Sequence, residues 1–295
     1  MMRRLAIAAL AAGFAAGPLA KGQGPAARLS AEQIVAKNVA ARGGLDAWRK
    51  IETMIWIGHL ESVHAPMPSM PFVMEQKRPN KTRFEINAMG QRTVRVFDGA
   101  QGWKLRPAQN GRPDAQPYTP EELKFVQRAP GLDGPLIDYA AKGNLVSLES
   151  LDELEGRKAY RLNVRLASGE RDQLWVDART FLDIRFDRVI DGAAGVPRRV
   201  VSVFYRDYKK FEGVQIPSVI ETGTGPGNTP DKMVIEKVVL NAPLNDSAFS
   251  SPGGPHPRKP ARFPAGVAPE ARAPMTPPPT STPRDPGPDS GSPPR

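Results

Sequence analysis

The run KAYRLNVRLASGERDQLWVDA alternates apolar and polar side chains almost without a break. Tyr160, Leu162, Val164 and Leu166 fall on one side of an extended chain, and Arg161, Asn163 and Arg165 on the other. A period of two belongs to a strand with one dry face and one wet face. The same habit returns in MIWIGHLESV, FVMEQKRPNKTRFEIN, RTVRVFDGAQGWKLRP, FLDIRFDRVI, RRVVSVFYRDYKKFEGVQIP, SVIETGT and KMVIEKVVLN, with Asp98-Gly99 marking a tight turn. Joined by short turns, these segments predict about ten strands in an antiparallel meander, a mainly β chain (α+β), and exclude an alternating βα fold. A sheet with one apolar face must cover that face with something.

Four segments break the period and supply the cover. Ser30 with Gln33 three residues on is a capping box, and the helix it opens carries Ile34, Val35 and Val39 before Gly43 stops it. A short second helix follows, with Leu45, Trp48 and Ile51 three apart. Midway along the chain, YTPEELKFVQRAPG has Thr119 as N-cap, Pro120 at the first helical position and Glu122 closing a second capping box, which predicts a helix over 120–128. GPLIDYAAKG predicts another over 135–142, ending at Gly143. Together the two form a helical lid over the sheet. HAPMPSMP reads as a Met/Pro loop at the rim, where Met67 and Met70 offer an adaptable apolar contact.

The ends differ from the middle. Arg3 and Arg4 followed by a short Ala/Leu/Ile core and small residues predict a cleaved signal peptide over 1–20, cut somewhere in 17–27. From Pro252 onward the chain is rich in Pro, Gly, Ser and Thr, with Phe263, Val267 and Met275 its only large apolar side chains; this predicts a disordered tail over 252–295. One domain over 30–251 remains. The chain has no cysteine, so neither a disulfide framework nor a thiolate metal site holds it. Part of the formal charge of +10 sits in the leader and the tail, leaving the domain only modestly basic. Nucleic acid is therefore a poor partner, whereas an anionic membrane face or polymer stays open.

The order and spacing of AEQIVAKNVAARGGLDAWRKIET, VFDGAQGWKL, GPLIDYAAKG, LEGRKAYRLNVRL, LWVDARTFLDIRFD and KVVLNAPLNDSAF resemble the LolA/LolB-like superfamily, in particular its outer membrane lipoprotein-sorting proteins. The resemblance spans 30–251. It implies a strongly curved antiparallel half-barrel closed by helices, a periplasmic location, and an apolar cavity taking the acyl chains of a lipoprotein or another lipid as cargo. RseB-type relatives use the same fold as a sensor or scaffold for an envelope protein partner, and that alternative stays open beside the carrier. A cell-wall role of the tail is a third. The long Pro-rich tail and the Met/Pro loop depart from LolA, and no residue here matches the arginine by which LolA holds its lid shut.

Chemistry points the same way. His59 and His64 lack the spacing of a metal site, no serine sits in a GxSxG elbow, and no GxxxxGKS loop is present. The expectation is a monomeric, non-catalytic carrier without cofactor or metal, in transient contact with envelope membrane proteins. Its ligand-binding residues are expected to be Trp48, Trp56, Phe84, Phe97, Trp103 and Trp175 from helix and sheet, and Leu123, Val126, Leu136, Ile137 and Tyr139 from the lid. Holding one long acyl chain requires roughly 10 kcal/mol of apolar contact at ~0.8 kcal/mol per methylene.

Overall fold

The computed structural model describes residues 29–63, 65, 67–107, 114–190, 199–223 and 229–252. The segments expected to be a signal peptide with its cleavage region and a tail beyond Pro252 lie outside the described residues. No described helix is long and apolar enough to cross a membrane.

The described chain forms helices α1 (Ala31–Ala41) and α2 (Leu45–Arg49), then strands β1 (Thr53–Glu61), β2 (Ser69–Lys77), β3 (Lys81–Ala88), β4 (Gln91–Phe97), β5 (Gly102–Arg106) and β6 (Asp114–Pro117). Helix α3 (Pro120–Gln127) follows, and after a run of turns come β7 (Leu145–Leu154), β8 (Arg157–Arg165), β9 (Arg171–Asp177), β10 (Asp183–Ile190), β11 (Arg199–Phe211), β12 (Val214–Gly223) and β13 (Asp231–Leu240). A 3-10 turn, Asp246–Phe249, ends it. The thirteen strands make one sheet in the order β6-β5-β4-β3-β2-β1-β13-β12-β11-β10-β9-β8-β7, with neighbours antiparallel. Two meanders thus meet where β1 pairs β13, Met54 opposite Leu240, and the sheet is left open at β6 and β7.

Both predicted capping boxes are present. Ser30 Oγ accepts from the Gln33 amide and Thr119 Oγ1 from the Glu122 amide, with the Gln33 and Glu122 side chains returning the bond. Three expectations are corrected. The described strands number thirteen where about ten were expected; β6 and β7 were not anticipated. Residues 135–142 form successive turns rather than a helix, because Asp138 takes a φ of 51° and breaks the run before the chain turns again at Gly143. The Met/Pro loop is also shorter than expected: Met70 already lies in β2, buried and paired with Leu60.

Curvature follows from what α3 touches. Its Glu122 accepts Lys104 Nζ of β5 at 2.6 Å, and its Phe125 carbonyl accepts Arg188 Nη2 of β10 at 2.7 Å. Just past its end, Arg128 reaches Asp172 of β9 at 3.1 Å. In a flat sheet β5 and β10 would stand eight strand spacings apart, ~38 Å, whereas an eight-residue helix is only ~12 Å long. The sheet must therefore curl until one short helix and two long side chains bridge its arms. The face carrying the helices is the inner, concave face.

Three clusters form the core. On the inner face, Ile34 and Val35 of α1 pack with Leu136 on Leu162, Val164, Leu174, Val176 and Phe186 of β8–β10. Beside them Trp48, Ile51, Leu132 and Ile137 pack on Met54, Val214, Ile216 and Leu240. On the outer face Leu244, Ala248 and Phe249 of the C-terminal segment cover Val94, Val96 and Leu105. Gly43, at φ 111°, lets α1 end against the β11–β12 turn, since a Cβ there would meet the Gly213 carbonyl oxygen at 2.5 Å.

Candidate functional site

Strand register decides which side chains share the inner face. Pairing places Val238, Trp56, Met74, Phe84, Arg95 and Lys104 in one row across β13, β1, β2, β3, β4 and β5. The next row holds Ile235, Gly58, Phe72, Ile86 and Thr93, and the one beyond it Met233, Leu60 and Met70. The rows differ in cover. Met54 and Leu240, under α2 and the 131–143 turns, are fully packed, whereas Val238, Trp56, Met74, Phe84, Ile86, Leu60 and Met233 are only half-buried. The result is an apolar field on the concave side that the chain's own helices do not fill. Phe72 and Phe84 anchor it with ring centroids 5.5 Å apart, and three methionines, Met70, Met74 and Met233, supply flexible contact.

Among the expected ligand-binding residues, Trp56 and Phe84 stand in this field. Phe97 shares their face but is fully buried one row away. Trp48 is a core plug: 1% exposed, its Nε1 donates to the Arg42 carbonyl at 2.9 Å and the Arg42 guanidinium lies 4.5 Å from its ring. Leu136 and Ile137 are also fully buried, one in each inner cluster. Tyr139 packs beside Leu136 and lines a groove of about 410 Å³ with Val35, Val39 and Leu45 of the helices. Leu123 and Val126 are half-buried on α3. Trp103 and Trp175 lie on the outer face, apart from the rest. Trp103 pairs with Val96 and packs on the C-terminal segment; Trp175 pairs with Arg161 and Arg185, whose guanidinium sits 4.8 Å from the indole. Met74, Ile86 and Arg95 were missed, although the parity of each strand, once a neighbour is placed, puts them inside.

Charged side chains pin the cover. Asp133, 3% exposed, receives Arg78 Nη1 at 2.8 Å and the Lys142 ammonium, while its carbonyl accepts Arg42 Nη1 at 2.8 Å. Burial lowers the Lys142 pKa, against the attraction of Asp133. Arg42 also lies 3.6 Å from Asp183, which burial pushes up and to which Asn38 donates at 2.8 Å. At the opposite mouth Tyr118 packs flat on Gly102, where a Cβ would meet its ring at 2.0 Å. His59 hydrogen-bonds Glu236 at 2.7 Å and Glu61 at 3.1 Å; among the described residues no group of three metal-ligating side chains gathers. His64 lies outside the described residues.

No protein-family model matches the chain, and no curated protein matches it. Among solved structures it is similar to a DUF1329 family protein from Desulfovibrio piger, with a TM-score of 0.50 at 12% identity, over 75% of this chain and 97% of that one. An outer membrane lipoprotein-sorting protein domain from Vibrio parahaemolyticus aligns with a TM-score of 0.47 at 9% identity, over 73% and 94%. A LolA superfamily protein from Nitrosomonas europaea does so with 0.47 at 13%, over 76% and 98%. The likeness to the Desulfovibrio piger protein is one of fold alone.

Proposed function

We propose that this chain, LolA/LolB-like in fold, is a periplasmic carrier holding an acyl chain of a lipoprotein or another lipid, for transport towards the outer membrane. The observation that carries the reading is the half-buried apolar field of Trp56, Met74, Phe84 and Ile86 on the concave face, with α3 strapped across the arms above it. A sheet face that existed only to be packed would be covered as fully as the Met54 row is. Burying a chain of a dozen or more methylenes there supplies ~0.8 kcal/mol for each. The cargo contacts proposed are Trp56, Met74, Phe84 and Ile86 from the sheet and Leu123 and Val126 from α3; Trp48, Leu136 and Ile137 serve by holding the cover in place.

The test is mass spectrometry of organic extracts from protein purified without detergent, together with titration of a fluorescent fatty acid. The parent yields lipid and binds the probe; Met74→Asp, at a half-buried position, loses both while the sheet still melts cooperatively. A parent that carries no lipid and binds no probe sinks the carrier reading. The exposed edge strand β7, with Leu145 at 63% and Leu151 at 53% exposure, favours a second reading in that event, a scaffold domain that takes up a protein partner.

A further inference from the structure

The inner-face row that begins with Val238, Trp56, Met74 and Phe84 ends in two cations, Arg95 and Lys104. Their circumstances differ. Lys104 is largely buried and held by Glu122 at 2.6 Å, so its charge is answered. Arg95 is exposed at the mouth, directly opposite Phe84 in the ladder; its charge acts on the Tyr118 phenol and on the Glu122 carboxylate, which Lys104 already engages. Its neighbour is the Tyr118 phenol, whose ring Gly102 allows to pack closely against β5 and whose pKa burial raises. The next pair outward on β5 and β6 is Arg106 opposite Asp114, again one charge of each sign. Among these described groups Arg95, Lys104 and Arg106 stand against Glu122 and Asp114, which leaves one net positive charge.

A guanidinium and a phenol beside the end of an apolar track match one ligand shape: a long apolar chain ending in one anionic group able to accept two parallel hydrogen bonds. One net positive charge suits a carboxylate better than a doubly ionised phosphate. Resting on the carrier reading, we propose that the cargo is a long-chain monocarboxylate, its chain lying along Phe84, Met74 and Trp56 and its carboxylate held by Arg95 with the Tyr118 hydroxyl beside it. The remainder of the chain runs from the mouth toward the fully packed cluster under α2, so the head group is the part that stays near water.

The experiment compares palmitate, hexadecanol and a palmitoyl lysophosphatidate as competitors for a fluorescent acyl probe on the full chain, with Arg95→Gln and Arg95→Lys beside the parent. Arg95 is exposed, so neither variant disturbs packing. The parent is expected to bind palmitate about ten-fold or more tighter than hexadecanol, as a charge-assisted bond out of bulk water supplies. Arg95→Gln removes that preference while leaving hexadecanol unchanged, and Arg95→Lys restores part of it. Equal affinity for palmitate and hexadecanol, or a preference that survives Arg95→Gln, overturns the head-group inference and leaves the carrier standing. Tighter binding of the lysophosphatidate than of palmitate overturns the monocarboxylate class. Failure of all three to compete, with no probe bound, removes the carrier reading and this inference with it.

Discussion

Asp133 accepts Arg78 and Lys142 on its carboxylate and Arg42 on its carbonyl, and so joins α1, the β2–β3 turn and the 131–143 turns at one buried point. Removing one partner of a buried ion pair leaves the others desolvated and unpaired. Asp133→Asn is therefore expected to cost about 3 kcal/mol, read as a lowered midpoint in denaturant melts. Asp246 is a different case, exposed and paired with Lys77 at 2.8 Å and Lys81 at 2.9 Å, which hold its pKa down at about 2. Because its folded pKa lies below the ordinary 3.8, the pairing stabilises above about 3.8 and is lost as pH falls towards about 2. Exchange of the amides of the Asp246–Phe249 turn, corrected for its intrinsic pH dependence, should rise through that window in the parent and lose this step in Asp246→Asn. Of such contacts the sequence shows nothing in advance: Asp133 and Arg42 are far apart in the chain, and only the folded turns bring them together.

Helix α3 buries none of its own residues and is held by Lys104, Arg128, Arg188 and the capping box of Thr119. An element held by charge at its ends and poorly packed beneath should open before the sheet does. Arg188→Gln removes both the 2.7 Å bond to the Phe125 carbonyl and the guanidinium stacked 4.0 Å from the Phe125 ring. Faster hydrogen exchange across Pro120–Gln127 with β8–β10 unchanged is the expected result, and uniform acceleration through the sheet counts against it. Element by element, α1 and α3 were legible because a capping box is a local device whose bonds close within four residues. Strand β7 was not, because Leu145, Leu148, Leu151 and Leu154 recur every third residue and mask the alternation; a bulge between Leu148 and Ser150 lets such a sequence lie as a strand. The 135–142 segment misled in the opposite way. Its composition suits a helix, but Leu136 and Ile137 must enter two different clusters, which a chain of turns permits. The site suffered from the same limit: aromatics could be picked out by type, but Trp103 and Trp175 fall outside because face is set by register, which no single strand reveals.

At the scale of the molecule, the C-terminal segment closes the outer face, with Phe249 fully buried and Arg83 Nη1 donating to the Ala248 carbonyl at 3.3 Å. A chain ending at Ser251 keeps these contacts and is expected to melt with the parent. A chain ending at Pro243 strips Val94, Val96 and Leu105 of their cover and should melt about 10 °C or more lower, from the loss of a buried phenylalanine and leucine. Equal melting of the two truncations would remove the C-terminal segment from the core.

The seam between β1 and β13 has a kinetic meaning. Every other ladder joins strands that follow one another in the chain, and so closes over a short loop, whereas Met54 waits for Leu240. Each meander can zip from its own hairpins at small entropic cost, but their union requires almost the whole described chain to have been made and gathered. Until then the inner edges of both halves stand bare in the middle of what will become the sheet, and the concave face cannot exist, because neither half alone holds both arms that α3 bridges.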